Sequence, residues 1–196
     1  MSSPDAPTEW ASSFTPNLDD FLSMVDVSGS NTTVVIDGPS GAGKSTVADF
    51  LVAHWPAGEG EGEPVQLVRL DDIYPGWAGL EAAATIAANI LAARSRGQAS
   101  SWQRYDWASA ALTTWHEVDP HRPLIIEGCG SLGRQAHETA NVRIWVSAAE
   151  GIRRERALSR GDEDFESHWD AWNEQFEVRM ARENPKRFAN IILAAN

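Results

Sequence analysis

The sequence predicts a three-layer α/β/α domain built on a mostly parallel, five-stranded sheet. Two observations lead there. Short aliphatic or β-branched runs recur along the chain, and helically spaced apolar residues or polar segments separate them. The length of 196 residues suits one well-buried α/β domain. Strands alternating with helices imply right-handed crossovers and a parallel sheet, whose ligands gather at the carboxyl ends of the strands. The residues just after each strand therefore matter most.

Residues 1–31 mix Ser, Pro, Asp and Thr around one short amphipathic piece, NLDDFLSMV, and read as a partly helical leader packed on the domain's edge. The domain itself is expected over 32–196. Its first strand is TVVID at 33–37, and apolar residues Val47, Ala48, Leu51 and Val52 follow at helical spacing over 44–54. PAGEGEGEP at 56–64 reads as an acidic flexible loop. A second strand is expected at 65–70, ending at Asp71-Asp72. Leu80, Ala83, Ala84, Ala87, Ile90 and Leu91 share one helical face over 80–96, and Gly97 supplies the left-handed stop. The remaining strands are PLIIE at 123–127, VRIWVS at 142–147 and a fifth at 191–194. Phe165, Trp169, Trp172, Phe176 and Met180 recur every three or four residues, a stripe that reads as core or lid packing.

Composition narrows the function. Sixteen basic against twenty-eight acidic side chains give a net charge of −12, a field that repels nucleic acid and anionic membranes. The single cysteine, Cys129, excludes an intramolecular disulfide framework, and the N-terminus lacks the pattern of a signal peptide. Apolar runs fall short of a membrane span. A cytoplasmic protein is expected. The five histidines have no metal-ligand spacing, which argues against zinc.

Gly38, Gly43, Lys44 and Ser45 complete G-x-x-x-x-G-K-[ST], the Walker A pattern of a P-loop NTPase domain, between a predicted strand and a predicted helix. Backbone N–H groups over Gly38, Ser40, Gly41, Ala42, Gly43, Lys44, Ser45 and Thr46 and the helix N-terminus would converge on nucleotide phosphates. Lys44 would reach the β- and γ-phosphates, and the Ser45 hydroxyl would take one Mg²⁺ position. Glu127, after LII, is the expected second metal group. No Asn-Lys-x-Asp base-reading quartet is present, which points away from a GTPase switch. Asp71, with Asp72 turned the other way on an extended chain, is placed to accept the proton of an attacking hydroxyl. Tyr74, Trp77, Trp102, Tyr105 and Trp107 could stack a ring. After the fourth strand, Arg153, Arg156 and Arg160 share one helical face in an expected lid at about 150–168, and Arg156 and Arg160 are the favoured partners of a phosphoryl group in transfer.

IDGPSGAGKST, LDDIY, RYDW and RPLIIEG, in this order, resemble the uridine kinase and phosphoribulokinase-like group of P-loop kinases over roughly residues 32–162. The resemblance implies Asp71 as the catalytic base, Tyr74 in the substrate pocket, Tyr105 and Trp107 around a nucleoside, and an arginine-rich lid. The loop PSGA is also similar to that of cytidylate kinases. One departure concerns the acceptor: the group has a histidine and an arginine shortly after Y-D-F, where this chain reads ASAAL with Ala110 and Leu112. The expectation is an ATP- and Mg²⁺-dependent kinase acting on a small-molecule hydroxyl, with a nucleoside as the leading acceptor. A nucleoside monophosphate, a sugar or a vitamin-like alcohol stays open as acceptor. So do an ATP-binding regulatory module and a partner-stimulated ATPase.

Overall fold

The computed structural model describes residues 8–11, 25, 31–56, 65–158 and 163–195. The expected helical piece at 17–25 (apart from Val25), the acidic loop at 57–64 and Arg160 lie outside the described residues.

Two β-strands open the chain, β1 (Thr8–Ala11) and β2 (Thr33–Asp37), and helix α1 (Lys44–Ala53) follows. Strand β3 (Gln66–Arg69) ends in a 3₁₀ turn (Leu70–Asp72) before helix α2 (Leu80–Ser95). A hairpin of β4 (Ser100–Asp106) and β5 (Ala111–Val118) leads to β6 (Leu124–Glu127), helix α3 (Arg134–Thr139) and β7 (Val142–Ala148). Helices α4 (Glu150–Leu158) and α5 (Glu163–Glu183) then precede β8 (Ile191–Ala195).

The sheet runs β1-β8-β7-β2-β6-β3 with every neighbouring pair parallel. All five expected strands form. A sixth comes from the leader, where β1 pairs with β8 in register Thr8 to Ile191 and so extends the sheet at its edge.

Burial on both faces explains the apolar strand sequences. Val35, Leu124 and Ile126 enter a core shared with Leu80, Ile90 and Leu91 of α2 and Trp172 and Phe176 of α5. Their neighbours Val34, Ile36 and Ile125 enter the opposite core with Val47, Ala48 and Leu51 of α1. The alternation of successive strand side chains thus makes the three layers. The α2 helix stops where expected, with Gly97 at φ 66°.

The β4–β5 hairpin was not anticipated. Every β5 residue except Val118 is exposed, so ALTTWHEV carries no half-buried alternation for a sequence reading to detect. Trp102 is buried under this hairpin, stacked on His116 at 4.5 Å between centroids. The turn passes through Ala110 at φ 51°.

Among the described residues no helix is long and apolar enough to cross a membrane. Ile126 is fully buried in the middle of the sheet. Truncating it as Ile126→Ala should cost about 2–5 kcal/mol of stability, read as a lowered midpoint in urea denaturation.

Candidate active site

The carboxyl ends of β2, β6 and β3 lie side by side, because Ile36 pairs with Glu127 and Glu127 with Arg69. The chain leaves β2 at Asp37 and turns at once through Gly38, whose φ is 144°. A Cβ at Gly38 would sit 1.9 Å from the Val146 carbonyl oxygen, so the loop can pass β7 only without one. Helix α1 starts directly from Gly43, which caps it in the left-handed region.

A cleft of about 320 Å³ opens above these strand ends. Ser40, Gly41, Gly43, Lys44 and Ser45 form its first end. Glu127, Cys129 and Asp71 border it in the middle, and Tyr74, Trp77, Trp107, Phe165 and Trp172 wall the rest together with Ala157.

Lys44 is 8% exposed, and its Nζ donates to the Pro39 carbonyl oxygen at 3.1 Å and to Cys129 Sγ at 3.3 Å. Burial pulls its pKa down, but the Cys129 sulfur, Glu127, Asp71 and Asp37 outweigh that, so the ammonium is held above its ordinary value. Glu127 is pushed up by burial and by Asp71, against the pull of Lys44, Arg69 and the Ser45 hydroxyl. Arg69 bridges Glu127 at 3.1 Å and also pairs with Asp49 on α1.

Asp71 borders the cleft from the 3₁₀ turn that follows β3. The turn, rather than an extended chain, separates the two aspartates, and Asp72 pairs with Arg104 at 3.1 Å. Asp72 does not wall the cleft. The Trp107 indole N–H donates to the Asp71 carbonyl oxygen at 2.8 Å, fixing that ring beside the carboxylate. The Tyr74 hydroxyl donates to the Cys129 carbonyl oxygen at 2.9 Å, and burial holds this phenol well above its ordinary pKa.

Of the other expected site residues, Tyr105 supports the wall from behind, edge-on to Trp107 at 5.4 Å. Gly38 and Ala42 shape the loop from inside, and Thr46 is exposed on α1. Arg156 is half-buried on α4 and is not among the described residues that wall the cleft. The loop instead receives Arg153, whose Nη1 donates to the Ser40 carbonyl oxygen at 3.2 Å and whose guanidinium lies 5.8 Å from the Trp169 ring centroid. The α4 backbone comes so close that a Cβ on Gly41 would meet the Arg153 carbonyl oxygen at 2.1 Å.

The sequence reading missed Asp37. Its fully buried carboxylate accepts backbone N–H groups from Gly38 at 2.6 Å, Gly130 at 3.0 Å and Leu132 at 2.8 Å. Burial raises its pKa, against these bonds and Lys44. Arg179 of α5 grips the same loop, donating to the carbonyl oxygens of Gly130 at 3.3 Å and Leu132 at 3.1 Å. Phe165 and Trp172 were read as packing. They do pack, and they also wall the cleft.

Asp37→Ala would leave three backbone N–H groups without their acceptor and should cost about 3 kcal/mol or more in denaturant unfolding. Phosphate-ligand affinity should fall in the same variant at temperatures where it is still folded, measured by calorimetric titration.

A protein-family model described as an AAA domain matches residues 34–182. No curated protein matches the sequence. A structure described as a possible uridine kinase from Bacillus stearothermophilus is similar with TM-score 0.60 and 14% identity, over 90% of this chain and 97% of that one. A protein provisionally named a fructose transport system kinase from Silicibacter sp. TM1040 is similar with TM-score 0.55 and 19% identity, over 90% of this chain and 96% of that one. At these identities the likeness is one of fold. The family match spans the P-loop, the strand ends and most of α5, and on it the chain belongs to the AAA domain family of P-loop proteins.

Proposed function

We propose that this protein is a kinase that transfers the γ-phosphoryl group of ATP to a hydroxyl of a small molecule. One observation carries the reading: a P-loop with its lysine, a buried glutamate and a carboxylate suited to act as base border one cleft whose far end is aromatic. A module that only held nucleotide would have no use for that second, aromatic compartment.

The roles follow from the residues. Phosphates bind in the loop, where Lys44 and the backbone N–H groups meet their charge. Mg²⁺ prefers hard oxygen donors and keeps several waters, and the Ser45 hydroxyl, bonded to the Glu127 carboxylate, offers such a pair. Bound there, the ion would neutralise phosphate charge. Asp71 takes the proton of the acceptor hydroxyl as its oxygen attacks the γ-phosphorus. The bond from that phosphorus to the β-phosphate oxygen breaks, and ADP leaves with the electron pair. Arg153, already against the loop, and Arg156 and Arg160 of the expected lid are the arginines we assign to the equatorial oxygens.

The sequence resemblance favours a nucleoside as acceptor, with sugars and vitamin-like alcohols as other hydroxyl compounds of suitable size. Lys44→Ala should weaken ATP binding by tenfold or more, measured by calorimetric titration. Asp71→Asn should keep ATP affinity and lose about 10²–10⁴-fold in acceptor-dependent ADP formation. Unchanged turnover in Asp71→Asn would instead favour phosphate release without an acceptor, and no turnover in the wild type with any alcohol would favour a binding module.

A further inference from the structure

The aromatic end of the cleft has a chemistry of its own. Trp77 packs against Trp107 at 4.8 Å and Phe165 at 5.3 Å between centroids, and Tyr74 meets Trp172 edge-on at 4.7 Å. Two polar groups of this wall are engaged, the Trp107 N–H by the Asp71 carbonyl oxygen and the Tyr74 hydroxyl by that of Cys129. Among the described residues walling the cleft, the cation is Lys44, at the phosphate end. Among the described residues, the acceptor end therefore presents ring surfaces with their indole N–H groups and the Asp71 carboxylate, with His168 stacked on Trp77 at 4.7 Å and no amide or guanidinium group walling it.

That inventory discriminates between acceptors. A nucleobase carries donors and acceptors along its edge, and burying them against a wall whose described groups are mostly ring surface costs affinity. A phosphorylated acceptor would need a cation beyond the arginines assigned to the transferred group, yet Arg69 is bound to Asp49 and Glu127, Arg94 is buried against Thr33, and Arg104 is paired with Asp72. An alkylated ammonium or pyridinium needs no hydrogen-bond partner. It is attracted by indole and phenyl rings and by a nearby carboxylate.

We propose that the acceptor is a hydroxyl-bearing organic cation, with its charged nitrogen against the rings about Trp77, Trp107 and Phe165 and its hydroxyl at Asp71. This rests on the kinase reading and replaces the nucleoside within it. The step is balanced as before: the hydroxyl proton goes to Asp71, the oxygen–phosphorus bond forms, the bond to the β-phosphate oxygen breaks, and the products are ADP and a phosphate monoester that keeps its positive nitrogen.

The test compares probes of equal shape and different charge on the full chain, held at saturating Mg²⁺ and the non-hydrolysable ATP analogue AMP-PNP. Choline is titrated against its neutral carbon isostere dimethylbutanol, and N-methyl-(hydroxymethyl)pyridinium against methylbenzyl alcohol, with uridine as the nucleoside arm. At least one cation should bind about tenfold or more tightly than its isostere and more tightly than uridine. In Trp107→Ala that advantage should shrink while AMP-PNP affinity and far-ultraviolet circular dichroism are kept; Trp107 is 40% exposed, so its loss spares the core. Equal binding within both pairs, tighter binding of uridine, an undiminished advantage in Trp107→Ala, or no binding by any probe while AMP-PNP binds would each overturn the proposal and leave the kinase reading standing. Failure of AMP-PNP itself to bind would sink both.

Discussion

A carboxylate removed from water must be surrounded by donors, and the solution found at Asp37 governs the rest of this site. Its oxygens hold the loop of residues 128–132 against the start of the P-loop. The Ser131 hydroxyl adds a bond to the Ile36 carbonyl oxygen at 2.9 Å, and the Gly128 N–H donates to the same carbonyl at 3.1 Å. Everything that faces Lys44 follows from this junction. Cys129 reaches the lysine from that loop, its carbonyl fixes Tyr74, and Glu127 enters the cleft one residue before it. A fully buried aspartate at the point where two strands deliver their loops thus sets the floor of the cleft.

Helices α4 and α5 are tied to the same floor. Arg179 reaches from α5 to the loop that Asp37 holds, and pairs with Glu81 at the start of α2. Arg153 reaches from α4 to the P-loop and lies over Trp169 of α5. Side chains on both helices therefore touch backbone carbonyls of the two loops at the floor of the cleft. Carbonyl acceptors are directional, so these contacts define how the helices sit more tightly than apolar packing alone would.

What could be read from the sequence was what short-range spacing encodes. The glycines, Lys44 and Ser45 follow from backbone geometry within eight residues, and Glu127 and Asp71 from their places after apolar runs. The core strands were legible because a parallel strand buried on both faces has no polar position to blur it. Asp37 was not, because its partners Gly130 and Leu132 lie more than ninety residues away and use only main-chain atoms, leaving no mark in side-chain pattern. Trp172 and Phe165 were legible as a stripe but not as a cleft wall, since one helical face can serve both purposes. The β4–β5 hairpin escaped for lack of an apolar face. Tyr105 and Asp72 have neighbours in the cleft wall without walling it themselves: Tyr105 backs Trp107, and Asp72 pairs with Arg104.

The pairing of β1 with β8 bears on how this fold behaves in a crowded solution. A parallel sheet that ended at β8 would offer a row of unmet N–H and C=O groups to any extended chain it encountered. Here residues 8–11 cover that row from Ile191 to Ala194 and become the margin themselves, so the free edge passes to a strand only four residues long. The opposite border is β3, only four residues long and closed by the charged Arg69. Both margins of the sheet are thus poor templates for strand addition, which guards against self-association through the sheet without any change to the cleft at its carboxyl end.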